Sequence, residues 1–246
     1  AVRSLFSSLR LYMSMGNAGS VCTFPGCLDA PEGDGDEAAW FSIGRIPDAV
    51  ENLLAPTGEE SREFIVARDY GAGHVIVYAQ DGLTRDDEIR GNGADNLTFA
   101  ENALRWLDGV GEPAGCSPGT TIVFWEGTFL DVDRIRAVRQ FIDRRGWRFV
   151  VTSPATLDDD LRCASVLWYA SDWEPPADFA TRHVPRIERF VREGGGLLVG
   201  GLGWSYAQEG SDAPYAADLL GVPFGFRFSL NAFEASPQQP IRLLMP

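Results

Sequence analysis

The segment Phe190-Val191-Arg192-Glu193-Gly194-Gly195-Gly196-Leu197-Leu198-Val199-Gly200-Gly201-Leu202-Gly203-Trp204 narrows the choice of folds more than any other stretch of this chain. It reads as the end of an amphipathic helix, a glycine stop, a short buried strand and a glycine-rich exit. A helix that feeds straight into an apolar strand belongs to a parallel α/β sheet. Ligands of such sheets gather beyond the carboxyl ends of the strands, so residues 200–204 are the first place to look for a site.

The same alternation runs upstream. Residues 121–125, 148–152 and 165–169 are short apolar strands, and 197–199 is a fourth. Between them, residues 131–145 place Ile135, Val138 and Ile142 on one helical face, and Gly146 stops the helix. Pro185 suits the first turn of a second helix, 185–193, carrying Ile187, Phe190 and Val191. Earlier still, 64–67 and 74–78 flank Tyr70-Gly71-Ala72-Gly73 as a β-hairpin in which His74 is an ordinary hydrogen-bonded strand residue. Residues 97–107 form a helix with Asp95 or Asn96 as N-cap and Gly109 as stop. The expected fold is α/β, three layers around a mostly parallel, flavodoxin-like sheet. Residues 1–40 read as an irregular leader, 41–230 as the α/β domain and 231–246 as a C-terminal extension.

Charge excludes one class of partner. All 21 basic residues are arginine, and 35 acids leave a net charge of −14, a surface that repels nucleic-acid phosphates. The missing lysine reflects genomic base composition or adaptation to salt; both readings stand. No run reaches the roughly 18–20 apolar residues of a membrane span.

Four cysteines occur. Cys22 and Cys27 bracket a short turn and are expected to form a disulfide, which leans toward an oxidising compartment, extracellular or periplasmic. Cys116 and Cys163 precede separate strands, which offers no pairing geometry, so they are expected not to be bonded to each other. With only His74 and His183, no zinc cluster forms, and no metal is expected. The acidic loop 32–37 lacks the periodic ligands of a calcium loop, and Asp158-Asp159-Asp160 reads as a solvated turn.

Gly194-Gly195-Gly196 follows a helix and precedes a strand, the reverse of a phosphate-binding loop, and neither Gly91 nor Gly201 starts a dinucleotide fingerprint, so no cofactor is expected. Gly203-Trp204-Ser205-Tyr206-Ala207 resembles a degenerate nucleophile elbow. No histidine follows Ser205 in the chain; His183, near a helix start, is the one base within geometric reach. Cys116 and Cys163 lie at the wrong edge of the sheet for nucleophiles. Glu126, Asp172 and Asp81 each follow a strand and are placed to line one crevice, or to serve as solvated loop acids and caps. With Trp204, Tyr206 and Gly201 they make a shaped site suited to stacking and hydrogen bonding, although Trp204 is equally a core residue.

Three motifs in order carry a resemblance: Tyr70-Gly71-Ala72-Gly73-His74-Val75-Ile76-Val77, then Asn102-Ala103-Leu104-Arg105-Trp106-Leu107, then Phe190 to Gly201 with Trp204 and Ala207 beyond. Together, over residues 64–222, the chain resembles the class I glutamine amidotransferase-like accessory domain of M60-like peptidases and of the TRPM8 channel-associated factors. The family often has His-Glu where this chain has Gln80-Asp81, and the zinc-binding motif of the peptidase domain is absent. The resemblance implies a non-catalytic accessory domain. Three functions follow as expectations: a binding module for a protein or glycan, a hydrolase using Ser205 with His183 or accessory to a zinc peptidase, and a structural component of an extracellular assembly.

Overall fold

A computed structural model describes residues 5–6, 9–11, 17–23, 41–45, 63–90, 95–108, 116, 118–171, 173–208, 214–229, 232–234 and 241–242. Five strands form the parallel core: β6 (Gly73–Tyr78), β7 (Thr121–Trp125), β8 (Arg148–Thr152), β9 (Val166–Ala170) and β10 (Gly196–Gly200). Their spatial order is β6-β10-β9-β7-β8, and every neighbouring pair is parallel. Leu198 thus lies between Ile76 and Trp168, and Val123 between Leu167 and Val150. The four strands expected to be parallel are so, with β9 and β10 shifted by a residue at their ends.

An antiparallel flank extends the sheet beyond β6. Strand β5 (Glu63–Tyr70) pairs with β6 through a two-residue turn, Gly71-Ala72, and with β4 (Phe41–Arg45). Strands β3 (Val21–Thr23) and β11 (Phe226–Phe228) complete a nine-stranded sheet, eight strands in the order β11-β3-β5-β6-β10-β9-β7-β8 and β4 off that path on β5. Residues 21–23 of the expected leader therefore belong to the main sheet. The chain ends also meet in two ribbons, β1 (Arg10–Leu11) with β13 (Ile241–Arg242) and β2 (Asn17–Ala18) with β12 (Phe233–Glu234).

The helices follow the apolar periodicity. They are α1 (Asp86–Ile89), α2 (Asn96–Leu107), α3 (Arg136–Arg144), α4 (Leu157–Asp160), α5 (Val184–Arg192), α6 (Gly203–Gln208) and α7 (Ala216–Gly221). Helix α3 buries Val138, Phe141 and Ile142 and turns its arginines outward. The expected helix 131–145 is divided at Ile135: Asp131 Oδ1 accepts from the backbone N–H groups of Asp133 and Arg134 (3.0 and 3.1 Å) and winds 132–134 as a 3₁₀ turn. Helix α5 is preceded by a π turn over Phe179–His183. The acidic run 158–160 is helical rather than a loose turn. Buried Leu157 anchors it, Thr152 Oγ1 donates to Asp160 (2.7 Å), and Asp158 faces Arg182 and Arg186 at 3.6 and 3.4 Å.

The cysteine expectation at 116 and 163 is overturned. Cys116 and Cys163 form a disulfide, with Cα atoms 5.5 Å apart. The two residues precede different strands, but β7 and β9 are neighbours in the sheet, so their approaches lie side by side. Cys22 is also disulfide-bonded, and Cys27 lies outside the described residues.

The amino ends of the parallel strands are packed tightly. A Cβ on Gly73 would sit 2.2 Å from the carbonyl oxygens of both Val191 and Gly195, so the hairpin turn rests directly on the end of α5. Gly194, at φ 117, makes the turn that permits this contact. A Cβ on Gly196 would meet the Leu107 carbonyl at 2.5 Å. Trp106 stacks on His74 with centroids 4.4 Å apart, and His74 Nδ1 lies 2.7 Å from Asp69. The first two resemblance motifs and the Phe190–Gly196 part of the third converge here.

Candidate functional site

At the other end of the strands, β6, β9 and β10 finish at Tyr78, Ala170 and Gly200. Gly201 N–H donates to the Tyr78 carbonyl (3.2 Å) and Ser171 N–H to the Gly200 carbonyl (3.1 Å), so three chain exits are bound together. Gly200 has no room for a side chain: a Cβ would lie 2.6 Å from the Tyr78 hydroxyl. That hydroxyl accepts from Trp168 Nε1 at 3.1 Å.

Asp81 opens the 3₁₀ turn Asp81–Thr84 directly below this junction and is fully buried. Neither carboxylate oxygen gains a well-aligned hydrogen bond among the described residues. Burial raises its pKa to about 7; the Gly82 backbone N–H and the guanidinia of Arg85 and Arg134 pull the other way without compensating. Its charge reaches Tyr215, whose hydroxyl accepts from Leu202 N–H at 2.7 Å. Gln80 Oε1, Ser20 Oγ and Trp204 Nε1 are likewise buried without a hydrogen-bond partner among the described residues. Gly19 brings Ser20 to this place: a Cβ on Gly19 would touch the Ala79 carbonyl at 2.7 Å and Trp204 Cδ1 at 3.1 Å. Native interiors leave few buried polar atoms unpaired, and such atoms concentrate at sites with a task.

The expected site residues are distributed unevenly around this junction. Asp81 and Gly201 are in it, Gly201 pressed against the Phe228 ring. Trp204 is 6% exposed and packs with Leu202, Ala232 and Phe129. Tyr206 is buried and stacks on Tyr215 at 4.8 Å. Glu126 serves as a cap, its Oε1 accepting from Val132 N–H at 2.8 Å. Asp172 lies outside the described residues. Ser205 is half-buried and lies inside α6, past the turn where an elbow nucleophile sits. The His183 ring packs against Trp125 and Phe179, with Nε2 3.5 Å from Asp178. Among the described residues no hydrogen bond joins Ser205 to His183.

Tyr215 and Ser171 were not singled out by sequence reasoning. Neither belongs to a motif; Tyr215 reaches the junction only because α7 folds back over β11. Asp218 on α7 is held there too, accepting from Phe228 N–H (2.8 Å), and burial raises its pKa to about 6.

No family model matches the chain, and no solved structure does. Among curated relatives, a TRPM8 channel-associated factor homolog of Xenopus laevis is 28% identical over 184 residues, covering 74% of this chain and 17% of that protein. A TRPM8 channel-associated factor homolog of Danio rerio is 28% identical over 164 residues, covering 66% and 14%. The chain is similar to these factors. It spans less than one fifth of their length. Among the described residues, no helix is long and apolar enough to cross a membrane and no group of metal-ligating side chains is assembled.

Proposed function

We propose that the chain is a non-catalytic binding module of amidotransferase-like, flavodoxin-like fold. It takes a protein or glycan partner at the crevice beyond β6 and β10, as an accessory or structural part of an extracellular or periplasmic assembly. The observation that carries this reading is the separation of the hydrolytic pieces. A serine nucleophile needs a base oriented toward it and oxyanion donors around the reacting atom. Here Ser205 sits within a helix and His183 is held by aromatic rings. Gln80 stands where the resembling family tends to have histidine. What the crevice offers instead is buried polar atoms with hydrogen-bonding capacity to spare, beside Trp204. A protein partner is supported by the relatives, whose name describes association with a channel. An oxidising compartment is supported by the disulfide between Cys116 and Cys163 and by the bonded Cys22.

The test pairs chemistry with binding. The full chain is treated with a serine-directed fluorophosphonate, assayed on a panel of esters, amides and peptides, and screened against immobilised glycans and extracellular proteins. No labelling, no turnover and a binding hit retained by Ser205→Ala are expected. Steady turnover abolished by Ser205→Ala overturns the proposal, as does a screen with no hit of either class.

A further inference from the structure

A second concavity adjoins the junction, with Arg85 and Arg134 acting on the Asp81 carboxyl, but neither Trp204 nor Ser205 lines it. The segment after β6 supplies Arg85, Asp86, Asp87 and Arg90, and the segment after β7 supplies Asp133, Arg134 and Arg136. Together they line an open, polar cleft of about 440 Å³. Four guanidinia in one cleft are a local inversion of sign on a chain of net charge −14.

The lining is partly spoken for, and the pattern is informative. Arg85 Nε donates to Asp87 Oδ1 at 3.0 Å, and a second contact makes that pair two-pronged. Arg134 is fixed by Asp131 (3.1 Å) and by the Phe129 carbonyl (3.0 Å). Asp86 Oδ1 caps α3 by accepting from Ala137 N–H at 2.8 Å, which locks the two walls together. This leaves exposed Arg90 and Arg136, which form no ion pair among the described residues, and exposed Asp133, whose carboxylate accepts no hydrogen bond among them.

We propose that this cleft binds a small hydroxy-acid monoanion, its carboxylate held by Arg90 and Arg136 and its hydroxyl donating to Asp133. Four arginines against three aspartates leave the lining a single positive charge, which matches one carboxylate. The acids repel a phosphate dianion but accept hydroxyl hydrogens. The guanidinium fork suits a carboxylate's two oxygens. The walls are pre-set by the Asp86 cap and the Arg85–Asp87 pair, so little ordering remains to be done on binding.

Isothermal titration of the full chain tests this with four probes: D-glucuronate, L-lactate, acetate and inorganic phosphate. The first two distinguish a sugar acid from a simple hydroxy acid; acetate lacks the hydroxyl. Glucuronate or lactate is expected to bind, at least about tenfold more weakly to Arg90→Ala and to Arg136→Ala, the loss of a charge-assisted hydrogen bond. Asp133→Asn is expected to weaken the hydroxylated probe and leave acetate unchanged. Arg189→Ala, exposed on α5, is the control and should match the parent. All these residues are exposed, so unchanged thermal melts certify the fold. Equal affinity in the parent and both arginine variants overturns the proposal. Phosphate binding as tightly as the hydroxy acids, or no binding of any probe, does the same. None of these outcomes bears on Ser205 chemistry, so this site and the crevice reading stand or fall separately.

Discussion

The two ends of the parallel strands are built on opposite terms. At the amino ends, polar side chains find partners within the fold. Tyr70 donates to Glu188 (2.8 Å) while accepting from Arg192 (2.8 Å), Thr120 donates to Asp108 (2.7 Å), and Ser165 Oγ accepts from Thr121 N–H (3.2 Å). Glycines bring backbone against backbone at both ends, but only the amino end carries the disulfide that ties the approaches to β7 and β9. At the carboxyl ends, Asp81, Gln80, Ser20 and Trp204 are buried with polar atoms unpaired among the described residues, and the arginine cleft opens beside them. One end maximises stability; the other gives some up. Parallel sheets put their ligands at the carboxyl end, and the polar groups follow that division.

The largest expected effect tests the carboxyl end. The Asp81 carboxyl is raised by burial from 3.8 to about 7. Below about pH 3 it is neutral in folded and unfolded chains alike. As pH rises toward 7 the unfolded chain releases this proton and the native chain keeps it, so Asp81 lowers stability across that window and fully above it. Asp81→Asn is therefore expected to be more stable than the parent at pH 8 by on the order of 4 kcal/mol and equal to it near pH 3, read by urea denaturation. Asp218 shifts in the same direction but is present in both proteins, so the difference isolates Asp81. A pH-independent difference would mean that the two ends are not energetically distinct.

Next in size is the amino end's covalent tie. Replacing Cys116 and Cys163 together by alanine is expected to cost about 2–4 kcal/mol, because the bond closes a loop with a sequence separation of 47 and restricts the unfolded chain. Thermal melts of parent and variant, with and without reductant, check it; a parent indifferent to reductant would remove the disulfide from the stability of this edge.

The parallel half of this sheet was legible in the sequence because each strand is bounded by a helix with an apolar stripe. Ile187, Phe190 and Val191 recur at helical spacing, and Leu197 to Val199 follow without a break. The antiparallel flank was not. β3 and β11 are three residues each, too short for the Phe226-Arg227-Phe228 alternation to mark a strand, and depend on pairing between distant parts of the chain. The Cys116–Cys163 bond was misjudged for a related reason: local position was read correctly, but strand order, which only tertiary structure supplies, makes the two positions neighbours. At the site, the placement of Asp81 after a strand was legible and its burial was not. The arginine cleft left a signal that went unused, four arginines just after two strands in a strongly acidic chain. Most of the residues that carry the resemblance, the hairpin, Asn102 to Leu107 and Phe190 to Gly196, turned out to pack the amino end, while Gly200, Gly201 and Trp204 reach the carboxyl end, which is why the motifs speak to the fold more strongly than to an activity.

The smallest expected effect sharpens that last point. Tyr70 belongs to the hairpin motif, and its hydroxyl is held between Glu188 and Arg192 at the end of α5, with its pKa pushed up to about 12 chiefly by burial. Tyr70→Phe keeps the ring, its edge contact with Phe224 at 4.8 Å and its place under the Arg192 guanidinium, and deletes only the hydroxyl. The lost bonds are partly exposed and Glu188 and Arg192 remain paired at 2.7 Å, so the cost is expected to be about 1 kcal/mol in urea denaturation. Binding of the hydroxy-acid probe to the arginine cleft should be unchanged, since Tyr70 lies at the opposite end of β6. A tyrosine used for recognition would give the reverse result, a stable variant with altered binding, and would move this motif from the structural end of the sheet to the functional one.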